Sequence, residues 1–522
     1  MPQTEPQQKQ QYILVFDHGT TSIRACVMNH DGKIVAIGQS NFEQVYPRPG
    51  WVEHRPNELW QLTLTVAEEA LEKASASWQD IAGIGITNQR ETVILWDVET
   101  GEPVYNAIVW QCRRTADFCA QLKAAGHEQR VRDKTGLVLD PYFSATKIRW
   151  LLDNVPKARD LLKQGRLRFG TVDTWILWHL SGRQLHLSDY TNASRTLLYN
   201  IHDLCWDTWL LKLFGIPEEI LPQVQPSRKI YGHSDPKLTG GVRIPLASDI
   251  GDQQAALYGQ KCWQPGKAKS TYGTGAFLMM HTGNKAIVSN TGMLSTIAAS
   301  DDGEVAYALE GAIFIAGGAI EWLQKQMKCF THPGEMDAMV KALSKVEQAS
   351  GDTQGESQRV YFIPAFTGLG APHWNATARG SITGLTQDTG PAHLVRGALE
   401  AMAYQTREVL EAMVADAETA KLHLNLEHLR IDGGVTRSQF LCQFLSDMLQ
   451  VPILRTDDAE LTAKGAAYLA GLAVGFWQSP DEIARLSEST ERFSPGTLLS
   501  EPLRKQYYLG WQQAVSGLLR AN

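Results

Sequence analysis

The stretch "LVFDHGTTSIRACVMN", residues 14–29, decides how this chain is read. An acid, Asp17, ends one apolar run, and Gly19-Thr20-Thr21-Ser22 leads into the next. Dense apolar residues predict strands over 12–17 and 22–29, and Asp31-Gly32 predicts a second turn into a strand over 34–41. The turn at Gly19 has a chemical reading. Glycine lets a phosphate approach the backbone, while N–H groups and the hydroxyls of Thr20, Thr21 and Ser22 are donors for its oxygens. Asp17 can reach a magnesium ion directly or through its waters. Arg24, two residues beyond Ser22 on the same strand face, can neutralise charge. A hairpin capped by hydroxyl-to-backbone bonds accounts for this stretch equally well when it is read alone.

The chain has 522 residues, too many for one core, so at least two domains are expected. Its 43% hydrophobic and 20% charged residues are those of a globular protein. A net charge of −7 without a long basic run argues against nucleic acid and anionic membranes as partners. The longest apolar stretch, around 466–477, is interrupted by two glycines and is too short to span a bilayer. Seven cysteines without a C-x-x-C pair fit reduced thiols, and the polar start MPQTEPQQKQQ lacks an apolar signal core. The expected location is therefore cytoplasmic.

The opening pattern recurs about 250 residues later. "AKSTYGTGAFLMM" (268–280) again sets Gly-Thr between apolar strands. Further strands are expected over 291–299 and 304–311 around Asp301-Asp302-Gly303, with a helix over 312–327. Two related α/β domains facing each other across a cleft explain the repeat, divided into 1–259 and 260–522. Helical spacing predicts helices at about 57–76 and over 391–415. "TAKGAAYLAGLAVGFW" (462–477) reads as a helix whose small residues let something approach its backbone. No P-loop, Rossmann glycine turn or protein-kinase motif is present.

Three polar stretches carry chemistry. In "DIGDQQAALYG" (249–259), Asp252 and Gln253 open a helix, where the dipole favours an ionised carboxylate able to accept a proton; an ordinary helix cap is the alternative. In "ITNQRETVILW" (86–96), Arg90 and Glu91 suit a polyol, one donating and the other accepting. Both can serve one ligand only if the strand ends there. Trp110 and Tyr142 add aromatic faces for a carbon chain. Gly433 and Gly434 in "LRIDGGVTRSQF" (429–440) leave room for a flat nucleoside, or simply make a tight turn.

At these residues the chain resembles the FGGY carbohydrate kinases, within the superfamily of sugar kinases, heat-shock chaperones and actin. "DHGTTS", "YFSATKIRWLLDN" and "GSITGLTQDTGPAHLVRGALEAMAYQ" are family-wide. "GITNQRET", "DYTNASRT", "GDQQAALYGQ", "TYGTGAF" and "YLAGLAVGFW" are similar to the members acting on glycerol. The resemblance implies two ribonuclease-H-like (actin-like ATPase) α/β domains with an interdomain cleft. It also implies transfer of a phosphoryl group from ATP to glycerol with magnesium, leaving ADP, by a homodimer or homotetramer. Arg90, Glu91, Tyr142, Asp252 and Gln253 would hold glycerol, Trp110 and Phe277 would flank its carbon edge, and Asp252 would be the base. Thr20, Thr21, Ser22, Arg24 and Thr274 would face the phosphates. Gly317, Glu321, Gly434 and Ser438 would line the nucleotide, and Asp17 would sit near the metal. The chain departs from the family's usual pattern at His18, commonly glutamine, at Glu321, often glutamine, at Ser438, often asparagine, and at Gly397, usually alanine or serine. Another family member's polyol or ketose is the near alternative. A chaperone- or actin-like ATPase is the distant one, with no reason to keep Arg90-Glu91 beside Asp252-Gln253.

Overall fold

A computed structural model describes residues 11–299, 304–349 and 359–521. Two mixed sheets dominate it. In the first, β1 (Tyr12–His18), β2 (Ser22–Met28) and β3 (Ile34–Asn41) form an antiparallel meander. Beside β1 run β4 (Ile81–Asn88) and β6 (Pro245–Gly251), both parallel to it, with β5 (Arg228–His233) at the edge. The second sheet repeats the plan. β7 (Ala268–Tyr272) pairs antiparallel with β8 (Ala276–Gly283) and parallel with β11 (Leu429–Asp432), and β12 (Ile453–Thr456) follows β11.

The repeat is not strict. The strand beside β8 is β10 (Ala306–Ile313), and β9 (Leu294–Ala298) lies outside it. The strand expected next in order is thus displaced to the edge; β13 (Thr490–Phe493) closes the other side. The turn at 301–303 lies outside the described residues.

Burial explains the strand composition. Along β1, Leu14 and Phe16 enter one apolar cluster while Ile13 and Val15 enter another. Successive residues point to opposite faces, so a strand covered on both sides is apolar throughout. Helix α1 (Pro56–Lys73) covers one face through Leu59, Val66, Ala67 and Ala70. The other face is covered from far along the chain, by α6 (Leu461–Ala473), whose Ala463, Ala466 and Ala467 pack against Ile13, Val15, Ala247 and Ile250. The second sheet has its own core with α3 (Gly317–Lys325), α4 (Pro391–Thr419) and α5 (Gln439–Leu449). The helix expected over 312–327 therefore starts later, because β10 runs on to Ile313.

Between the sheets lies α2 (Asp252–Gly259), continuous with β6. It is what approaches the backbone of α6. A Cβ on Gly465 would stand 1.9 Å from the Ala255 carbonyl oxygen, and one on Gly259 would stand 2.0 Å from that of Leu461. Only glycine permits this contact.

Candidate active site in the cleft between the sheets

β4 ends at Asn88, which frees Arg90 and Glu91 from strand alternation. Glu91 takes φ +63°, an uncommon conformation for a residue with a side chain, and the Thr92 N–H donates to the Arg90 carbonyl at 2.8 Å. The tight bend turns both side chains into the same buried cluster. Arg90 Nε lies 3.2 Å from Asp252 Oδ1 and 3.9 Å from Glu91 Oε1, and Arg90 Nη2 donates to the Tyr142 hydroxyl at 3.4 Å. The Trp110 and Tyr142 rings meet edge to face, 5.4 Å apart, and Trp110 Nε1 donates to Thr20 Oγ1 at 3.0 Å. That last bond joins this cluster to the Gly19 turn.

Asp252 is the first residue of α2, one beyond the cap position, which Gly251 occupies. Its carboxylate accepts the Gln253 N–H at 2.7 Å and is 29% exposed, so solvent reaches it. Burial raises its pKa above the ordinary carboxylate value, against the pull of Arg90, the Gln253 N–H and Lys269. Asp17, on β1, is lifted to about 7, chiefly by burial, with Glu460 and Asp252 adding to the effect and Arg24 opposing it. Arg24 faces Asp17 across the ladder at 3.9 Å, but its Nη1 donates to Glu460 at 3.0 Å, so its guanidinium is shared with the α6 end of the chain.

The Gly273-Thr274-Gly275 turn clips onto the start of α3. Gly317 N–H donates to the Gly273 carbonyl, and Ala316 and Gly318 N–H donate to that of Thr274, at 2.7–2.9 Å. Thr274 and Gly434 are exposed beside this junction. Gly433 needs its φ of +105°, and a Cβ there would meet the Tyr272 carbonyl oxygen at 2.2 Å. Phe277 is half-buried on β8, in the second sheet. Glu321 is exposed on α3 and pairs with Lys325 one turn on. Ser438 is buried, caps α5 at the Leu441 N–H, and gives its hydroxyl to Asp337. Among the described residues, no three His, Cys, Asp or Glu side chains come together as a metal site.

Sequence reasoning missed the charges beneath this surface. Glu310, fully buried on β10, binds Arg90 Nη1 at 2.6 Å and Arg195 Nη2 at 2.9 Å, and Arg195 Nε also holds Glu91 at 2.6 Å. Burial works to raise the pKa of Glu310, but Arg195 and Arg90 outweigh it and hold it at about 2. The available signal was a lone carboxylate inside the apolar strand "AYALEGAI" (306–313).

The sequence profiles of the FGGY carbohydrate kinases match the chain over residues 12–259, as the N-terminal domain, and 268–474, as the C-terminal domain. This chain belongs to the FGGY family of carbohydrate kinases. Among curated relatives, a glycerol kinase of Salmonella arizonae is 51% identical over 507 residues, covering 97% of each chain. One from Xanthomonas campestris is 49% identical over 511 residues, covering 98% of this chain and 99% of the relative. The crystal structure of Plasmodium falciparum glycerol kinase with ADP superposes with a TM-score of 0.87 at 34% identity, covering 98% of both chains. The FGGY architecture of two actin-like α/β domains accounts for the repeated sheet plan. Of the departures from the usual FGGY pattern, His18 points inward. Its Nε2 lies 3.4 Å from Thr63 Oγ1, and burial depresses its pKa to about 3, so it stays neutral.

Proposed function

We propose that this chain phosphorylates glycerol with ATP, giving sn-glycerol 3-phosphate and ADP. The observation that carries the reading is the convergence of Asp252, Arg90, Glu91 and Tyr142 beside the Gly19 turn, in a chain half-identical to curated glycerol kinases. Arg90 and Gln253 donate to substrate hydroxyls and Glu91 accepts. Trp110 and Phe277 flank the carbon edge, which favours a three-carbon ligand. A carboxylate with raised proton affinity that is still paired with Arg90 suits a base taking the hydroxyl proton near neutral pH. Thr20, Thr21, Ser22 and Thr274 donate to phosphate oxygens, Arg24 balances their charge, and Gly317, Glu321, Gly434 and Ser438 lie along the nucleotide.

Asp17 fits a divalent cation, since it is buried, lifted to about 7 and acted on by two further carboxylates. It would hold magnesium directly or through water, and magnesium bound there would neutralise phosphate charge. Phosphoryl transfer then depends chiefly on positioning, because the protein has little covalent chemistry to perform. We place the enzyme in the cytoplasm as a homodimer or homotetramer; its seven unpaired cysteines fit a reducing compartment. No helix of the described residues is long and apolar enough to cross a membrane.

The test is product formation with glycerol, dihydroxyacetone, glyceraldehyde and xylulose. Glycerol is expected to be the best substrate, and Asp252→Asn is expected to lower its turnover by ~10²–10⁴-fold while ATP still binds. A preference for xylulose, or near-normal turnover in the variant, would overturn the assignment.

A further inference from the structure

Lys269 on β7 is fully buried, beside Gln253 of α2. A buried cation is costly unless its donors are satisfied. Its Nζ donates to Gln253 Oε1 at 2.6 Å and to Thr271 Oγ1 at 3.0 Å. The Thr271 hydroxyl donates in turn to Asp432 Oδ2 at 3.2 Å, and Gln260 Nε2 donates to the same oxygen. Thr271 and Asp432 face each other on the ladder between β7 and β11, and Asp432 is the last residue before the Gly433-Gly434 turn. Burial lowers the Lys269 pKa below its ordinary value, and Arg90 adds to that effect, while Asp432, Asp252 and Glu310 favour the ammonium.

An ammonium can only donate, so the Gln253 atom facing it is the amide oxygen. The amide therefore turns its NH₂ away from Lys269, as a donor. A substrate hydroxyl that accepts from that NH₂ keeps its own proton free for a carboxylate, and the residue just before Gln253 on α2 is Asp252.

We propose that Lys269 is a positioning residue that fixes Gln253 as a hydrogen-bond donor to the substrate hydroxyl and anchors it, through Thr271 and Asp432, to the glycine turn of the nucleotide side. The inference rests on the glycerol kinase reading above. Lys269 touches no substrate; it sets the orientation of a side chain that does.

The test is a double-mutant cycle on steady-state kinetics with Lys269→Met, Gln253→Ala and the double variant. Each single change is expected to raise the KM for glycerol about tenfold, the scale of one hydrogen bond to a charged group, with the KM for ATP within about twofold. The double variant is expected to match Gln253→Ala within about twofold, because Lys269 acts through that amide. Multiplying effects, or equal rises in both KM values, would overturn the proposal. If Lys269→Met does not fold, Thr271→Val takes its place in the cycle. It keeps the cation but cuts its anchor, and a glycerol KM rise of about threefold that vanishes on top of Gln253→Ala is expected. Effects that multiply in that cycle overturn the proposal as well. Absence of glycerol-dependent turnover in the unaltered enzyme would instead overturn the functional reading.

Discussion

Glu310 and Arg90 meet across the junction of the two sheets, with Oε2 accepting from Nη1 at 2.6 Å and both side chains almost wholly buried. The carboxylate comes from the second sheet and the guanidinium from the bend after β4. The floor of the proposed polyol site is therefore held by a charge from the opposite half of the fold.

Removing that charge leaves Arg90 and Arg195 with less compensation in a dry site. Glu310→Gln is expected to cost about 3 kcal/mol, the scale for breaking a buried ion pair, and to raise the KM for glycerol as Arg90 loosens. Thermal melting and steady-state kinetics read both effects. A variant as stable as the parent with an unchanged KM would show that Glu91 and Asp252 suffice to hold the two arginines.

The contact between α2 and α6 yields a second expectation. A methyl group at position 465 would stand 1.9 Å from the Ala255 carbonyl oxygen, so Gly465→Ala must push the helices apart. Overpacking of this kind costs about 1–3 kcal/mol. Because α2 begins at Asp252, the shift also moves the proposed base. Misplacement by about 1 Å can cost ~10²-fold in rate, so kcat is expected to fall at least tenfold along with the melting temperature. Retention of both would mean that the helices slide without disturbing the site.

His18 gives a pH expectation with a definite sign. Burial depresses its imidazole to about 3 in the fold, while in the unfolded chain it titrates at its ordinary value near 6.5. The stability it contributes is full above 6.5 and is lost as pH falls from there towards 3, by about 1.4 kcal/mol per pH unit. His18→Gln is expected to make the acid-side fall of the melting temperature shallower. It is also expected to leave the pH profile of kcat unchanged between about pH 6 and 9, because the imidazole is already neutral there. A changed kcat profile would give His18 a catalytic part.

Much of the site lay within short stretches. Asp17 near the end of a strand that runs on to His18, Gly273-Thr274-Gly275 between two strands and Asp252 opening a helix each follow from local composition and periodicity, which act over a few residues. The bend that lets Arg90 and Glu91 serve one ligand was legible only as a condition, and the end of β4 at Asn88 meets it. Ser438 was legible only through the family resemblance, and the hydrogen bonds of its hydroxyl to Asp337 and to the Leu441 N–H that caps α5 were decided by the tertiary fold.

What the sequence determined by itself is the repeated strand plan, because alternation of apolar residues and Gly-Thr punctuation are local and legible in order. Which charges lie beneath the site was decided only by the tertiary structure. Glu310 reaches Arg90 over 220 residues of chain, and Lys269 reaches Gln253 from the other sheet. The placement of β9 outside β10 was decided in the same way. The physical reason is that a buried charge must find a partner, and that partner is chosen by packing in three dimensions, on which spacing along the chain carries no information.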